Sequence, residues 1–224
     1  MAKSSRLMVA RNILDIGLIP VFYNGDIEAA KNIVKACHLG GVNTIEFTNR
    51  GTHAIDVFNE LSIFCEDLPK VLLGAGTIMD SSTAVQYIDA GATFIVGPTF
   101  SSEVAKLCNR RRILYIPGCQ TPTEISTAEE AGCDLIKLFP ASVLTPSFIK
   151  AILGPMPLTQ LIPSGGVRVE QKYIEEWIDM GAVALNIGSE LIKKSYVENR
   201  NFETITENVR QCIKWIEEAK SRRR

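Results

Sequence analysis

The chain has 224 residues, 46% of them hydrophobic and 22% charged, with a formal net charge of −1. Such a length buries a full-sized core, and near-neutrality leaves no global field to draw the protein to nucleic acid or a membrane surface. It holds no apolar run of 18 residues, no signal-peptide pattern and no C-x-x-C pair, and its two histidines, His38 and His53, are too few for a multi-histidine zinc site. The expectation is a cytoplasmic protein whose six cysteines stay reduced and buried.

Leu7, Ile13, Leu14 and Ile16 have the spacing of one helix face, so an N-terminal helix is expected. Strands are expected at 19–23, 44–48, 71–75, 93–96, 113–116, 135–139, 161–163 and 184–187. Between them lie helical segments such as "DIEAAKNIVKACHLGG" at 26–41, with Asp26 placed to cap the start and glycines to end it. "STAVQYIDAG", "TPTEISTAEEAG" and "VEQKYIEEWIDMG" follow the same plan. No linker or charge block interrupts the rhythm, so residues 1–224 read as one domain. Eight strands alternating with helices predict an α/β protein, a single (β/α)8 barrel with an N-terminal helix. A doubly wound open sheet is the competing arrangement.

An internal repeat favours the barrel. "GVNTIEF" begins at Gly41, "GATFIVG" at Gly91, "GCDLIKL" at Gly132 and "GAVALNI" at Gly181, and each runs from a helix end into an even-numbered strand. The fifth residue after each glycine is Glu46, Val96, Lys137 or Asn186. One layer inside such a barrel takes its side chains from alternate strands, so Glu46 and Lys137 are expected to point inward from opposite walls.

Lys137 sits in "DLIKLFPA", flanked by apolar residues. Burial lowers a lysine pKa and supplies the neutral amine that Schiff-base chemistry needs; the plainer reading is a lysine paired with a carboxylate. Glu46 is that partner, or a general acid/base beside the amine. Arg50, four residues on, can grip a carboxylate bidentately or be an ordinary loop arginine. "PSGGV" at 163–167 carries Gly165 and Gly166, and "NIGSEL" at 186–191 carries Gly188 and Ser189. Loops at these places often hold a phosphate on backbone N–H groups. The parts suit a metal-independent aldolase, with no cofactor, acting on a phosphorylated keto acid.

At these residues the sequence resembles the 2-keto-3-deoxy-6-phosphogluconate (KDPG) aldolases, also called KHG/KDPG aldolases, over roughly residues 13–192. The resemblance rests on "LIPVF", "GGVNTIEFTNRG", "LLGAGTIMD", "IPGCQTPTEI", "IKLFPA", "PSGGV" and "NIGSEL", the pairing of E-x-T-x-R with K-x-F-P-A being the most specific part. It implies that Lys137 forms the Schiff base and Glu46 shuttles protons. Arg50 and Thr77 would hold the pyruvate carboxylate, Pro98 and Phe139 would line that pocket, and Gly165, Gly166 and Ser189 would hold phosphate. It also implies a homotrimer that yields pyruvate and glyceraldehyde 3-phosphate. Three departures stand out: Ser142 replaces the usual glutamate of "FPAE", "GPT" at 97–99 replaces "SPG", and Asn49 sits in "NRG". Ser164 keeps a hydroxyl where gluconate-type relatives carry threonine, which favours the gluconate over the galactonate epimer. A 4-hydroxy-2-oxoglutarate aldolase, a synthase or epimerase using Lys137 electrostatically, and a non-catalytic phosphometabolite-binding barrel remain the alternatives.

Overall fold

A left-handed glycine at four helix-to-strand junctions sets the rhythm of the chain. In the computed structural model, which describes residues 4–68 and 70–223, Gly41, Gly91, Gly132 and Gly181 have φ of 107°, 104°, 82° and 121°. These are the glycines that open the sequence repeat. A residue without Cβ adopts that backbone at no steric cost, so each can end its helix and turn the chain into the next strand.

The order is α1 (Arg6–Ile16), β1 (Leu18–Phe22), α2 (Ile27–Leu39), β2 (Thr44–Thr48), α3 (Ala54–Phe64), β3 (Leu72–Gly76), α4 (Ser81–Asp89), β4 (Phe94–Val96), α5 (Ser102–Arg111) and β5 (Leu114–Ile116). It continues with β6 (Gly118–Cys119), α6 (Pro122–Glu130), β7 (Ile136–Leu138), α7 (Pro146–Leu153), β8 (Leu161–Pro163), α8 (Gln171–Asp179), β9 (Leu185–Ile187), α9 (Lys194–Glu198) and α10 (Phe202–Arg222). Asp26 caps α2 by accepting from the N–H groups of Glu28 and Ala29. Thr121 and Glu124 close a capping box at the start of α6. No helix among the described residues is long and apolar enough to cross a membrane.

The strands form an α/β fold with two parallel sheets. Six run in the order β5-β4-β3-β2-β1-β9 and three in the order β6-β7-β8. Pro117 links β5 to β6 through the chain, and its carbonyl accepts from Lys137 N–H at 2.9 Å beside the β6–β7 pairing. Val183 N–H, just before β9, donates to the Leu161 carbonyl of β8 at 3.0 Å and so joins the two sheets. Ser164 and Asn186 add an isolated parallel bridge beside the second of these.

Strand alternation sorts the side chains into two clusters. The larger lies between strands and helices and holds Phe47, Phe58, Tyr87, Ile136, Leu138 and Trp177. The smaller gathers Ile19, Phe94, Val96, Leu114, Ile116 and Ile162 from strands of both sheets, with Val9 and Ile13 from α1.

Three expectations need correction. Among the described residues nine strands form rather than eight, because Pro117 has no N–H to donate and divides one stretch into β5 and β6. The strand expected at 135–139 is narrower, Ile136–Leu138. Leu7 is 73% exposed, whereas Ile13 of the expected face is buried, with Leu14 and Ile16 packed against the core, and Val9 joins it on the inward side of α1.

The junction glycines yield a stability test. A Cβ at Gly132 would meet nothing nearer than 3.4 Å, so substitution there probes backbone strain rather than crowding. Gly132→Ala is expected to cost about 1–2 kcal/mol in urea denaturation. At Gly154, with φ of −56°, the alanine substitution fits the backbone and is expected to stabilise by about 0.4–1 kcal/mol.

Candidate functional site

Lys137 is the middle residue of β7, and strand alternation turns it the opposite way from its neighbours. Ile136 and Leu138 belong to the larger apolar cluster, while Lys137 points to the other face and is only 6% exposed. Its Nζ lies 4.9 Å from the centroid of the Phe139 ring. Burial pushes the amine pKa below the ordinary lysine value; the Glu46 charge opposes this, and Arg50 adds to it.

Glu46, in the middle of β2, is 1% exposed. Asn186 Nδ2 donates to its Oε2 at 2.7 Å, and Ser164 Oγ donates to Asn186 Oδ1 at 2.6 Å. Asn186 and Ser164 are themselves buried. Among the described residues Glu46 Oε1 has no hydrogen-bond partner, and no ion pair joins Glu46 to Lys137. The carboxylate is therefore held by a neutral amide rather than by the lysine. β3 makes room for it, because a Cβ at Gly76 would collide with Oε1.

Arg50 lies just past β2 in a loop tied down from several sides. Asn49 N–H donates to the Gly76 carbonyl at 2.8 Å, and the Tyr87 hydroxyl donates to Asn49 Oδ1 at 2.9 Å. Burial is the main cause that pushes the Tyr87 phenol up to about 12, so it remains a donor at neutral pH. Arg50 Nε donates to Thr77 Oγ1 at 3.3 Å. Thr77 holds a φ of 61°, a region that a β-branched residue adopts only under strain. Tyr87 has no motif to reveal it; in the sequence it is one more aromatic on a helix.

A cavity of about 680 Å³ brings most of the expected residues together: Arg50, Lys137, Phe139, Ser164, Gly165, Gly166, Gly188 and Ser189 line it, with Tyr23 and Asn186. Glu46 lies behind this wall, in contact with Asn186. Thr77 is not a lining residue and reaches the site through Arg50. Pro98 lines a neighbouring cavity of about 490 Å³ that shares Phe139. Gly165 and Gly166 have φ of 82° and 88°, and a Cβ on Gly166 would come within 2.6 Å of the Ser142 Cβ. Ser142 N–H donates to the Gly165 carbonyl at 2.8 Å, so it anchors the glycine loop from beneath. Glu190, Lys194 and Glu198 complete one rim of the cavity, with Lys194 and Glu198 3.4 Å apart. Neither histidine lines it; His53 Nδ1 sits 3.2 Å from Asp56 at the start of α3. The thiols of Cys37, Cys108, Cys119, Cys133 and Cys212 are each pushed up to about 12, with burial the main cause.

The family model described as KDPG and KHG aldolase matches residues 9–208. A 2-dehydro-3-deoxy-phosphogluconate aldolase of Pseudoalteromonas atlantica is 29% identical, over 88% of this chain and 89% of that protein. Among solved structures, the KDPG aldolase from Legionella pneumophila, with pyruvate captured as a covalent carbinolamine, superposes with a TM-score of 0.80. It is 26% identical and the match covers 90% of this chain and 96% of that one. The native KDPGal structure superposes with a TM-score of 0.82 at 26% identity, over 91% of this chain and 96% of that one.

The buried amine carries a pH signature. Its folded pKa lies below the ordinary 10.5, so between the two values the unfolded chain binds more protons and stability rises with pH. Lys137→Met removes the penalty. This variant is expected to resist urea better than the wild type at neutral pH, the gap shrinking as the pH climbs toward 10.5; an unchanging gap would contradict the burial effect.

Proposed function

Because the chain belongs to the KDPG and KHG aldolase family, we propose that it is a metal-independent class I aldolase that cleaves 2-keto-3-deoxy-6-phosphogluconate to pyruvate and glyceraldehyde 3-phosphate. The observation that carries this reading is the amine of Lys137, buried in an apolar wall, free of any ion pair among the described residues, and opening on the same cavity as Arg50.

In this mechanism the lone pair of neutral Lys137 Nζ attacks the C2 ketone, and loss of water from the carbinolamine gives an iminium. Glu46 takes the proton of the C4 hydroxyl, directly or through a water. The electrons of the C3–C4 bond move into the iminium, the aldehyde leaves, and an enamine of pyruvate remains on Lys137. Protonation at C3 and addition of water to the resulting iminium release pyruvate and restore the amine. The iminium serves as the electron sink, so the step needs no metal. The Legionella relative's pyruvate carbinolamine supports the same first intermediate.

Arg50, oriented by Thr77, is the carboxylate clamp in this reading, with Phe139 as a wall of the pyruvate pocket. Pro98 would act from the neighbouring cavity through the shared Phe139. Gly165, Gly166, Gly188 and Ser189 would take the phosphate on backbone N–H groups and the serine hydroxyl. Ser164, on the cavity wall, favours the gluconate epimer. The Val183–Leu161 hydrogen bond and the Ser164–Asn186 bridge, which join β8 to the β9 segment, support a closed (β/α)8 barrel of one domain; Met1 to Lys3, Pro69 and Arg224 of that span lie outside the described residues. On the family footing the enzyme is read as a cytoplasmic homotrimer.

Incubation with pyruvate followed by borohydride is expected to leave a mass adduct on Lys137, and its absence there would remove the Schiff-base mechanism. Glu46→Gln is expected to lower the cleavage rate by about 10²–10⁴-fold while the trapped pyruvate adduct still forms. Assays on the gluconate and galactonate epimers test Ser164: the gluconate is expected to be cleaved with the higher kcat/KM.

A further inference from the structure

We propose that Asn186 is a positioning residue for Glu46, holding one carboxylate oxygen so that the other is reserved for proton transfer. The inference rests on the Schiff-base reading above and concerns a residue that reading leaves without a role.

The three side chains form an ordered chain of donors. Ser164 Oγ donates to Asn186 Oδ1 at 2.6 Å, and Asn186 Nδ2 donates to Glu46 Oε2 at 2.7 Å. The three residues are between 1% and 3% exposed, so water does not compete strongly for these bonds. The direction is fixed by chemistry: an ionised carboxylate only accepts, so the amide must turn its NH₂ toward Glu46 and its oxygen toward the hydroxyl. A carboxylate that acts as a general base accepts hydrogen bonds, and the amide supplies one to Oε2.

Glu46 Oε1, by contrast, is buried without a partner. A buried oxygen left unpaired is costly, and it persists here beside the empty side of Gly76, where a Cβ would collide with it. A substrate hydroxyl or a water that reaches Oε1 would supply the missing bond. Asn186 lines the cavity while Glu46 lies behind the wall, so the amide is also the link that fixes the carboxylate relative to bound substrate.

A neutral donor has an electrostatic advantage over a cation at this place. A lysine or arginine against Oε2 would hold Glu46 equally well, but its charge would quench the carboxylate's basicity and add a second positive centre near Lys137. The amide orders the base with no added charge.

The test is a set of variants read by steady-state cleavage, by exchange of the pyruvate methyl protons with deuterated water, and by borohydride trapping at Lys137. Asn186→Leu keeps the side-chain shape and removes the donor. Its kcat and exchange rate are expected to fall about ten- to a hundredfold, the loss of one hydrogen bond to a charged group, with KM and trapped yield retained. Ser164→Ala, which frees the amide to turn, is expected to show a smaller loss in the same direction. On a Glu46→Gln background Asn186→Leu is expected to cost nothing further, because no carboxylate remains to be held; a merely structural asparagine would give additive losses.

Unchanged exchange in Asn186→Leu, additive losses on the Glu46→Gln background, or loss of trapping in parallel with exchange would each overturn the inference. If Asn186→Leu does not fold, Ser164→Ala decides, and unchanged exchange in that variant overturns it. A wild type that neither exchanges nor forms the adduct would bring down the Schiff-base reading and this inference together. An active, trappable wild type with insensitive Asn186 variants would overturn this inference alone.

Discussion

The site depends on one unfavourable placement: an amine held in an apolar wall with no carboxylate against it. Desolvation makes the charged form of Lys137 costly, and in the proposed mechanism that cost favours the neutral amine that attacks the ketone. A direct bond to Glu46 would cancel the effect by stabilising the ammonium. The chain avoids it by giving each group different company, the aromatic ring of Phe139 for the lysine and the amide of Asn186 for the glutamate.

The surrounding fold serves this separation. Glu46 is paired in register with Gly74 of β3, where a side chain would collide with the Phe94 ring. Two strand glycines, Gly74 and Gly76, thus let β3 pass beneath both a buried ring and a buried carboxylate. Outside the wall, the requirements reverse. Arg50 is exposed, and its loop is fixed by Asn49 through the Gly76 carbonyl and the Tyr87 hydroxyl. Charge that must stay solvated is placed on a loop, and charge that must be perturbed is placed on a strand.

Much of this was legible in the sequence because it is periodic. The four repeat glycines mark where helices stop, and the fifth residue after each, Glu46, Val96, Lys137 and Asn186, is buried in every case. A strand's alternation then carries Lys137 away from Ile136 and Leu138. Features decided by tertiary contact were not legible. The period places Asn186 in the same layer as Glu46 but says nothing of the hydrogen bond between them. Tyr87 reaches Asn49 across 38 residues of sequence, and only the folded chain brings Pro98 to a neighbouring cavity. Pro117 interrupts a ladder through its missing N–H, and the exposure of Leu7 follows from how α1 docks; neither is fixed by hydrophobic spacing.

The perturbed amine of Lys137 is the central claim, and an NMR titration of that amine measures it most directly. With lysine side chains isotopically labelled and Lys137→Met used to assign the resonance, the Lys137 amine is predicted to titrate below the ordinary lysine value of 10.5. A midpoint at or above that value would contradict it, because burial in the apolar wall would then not disfavour the charged amine.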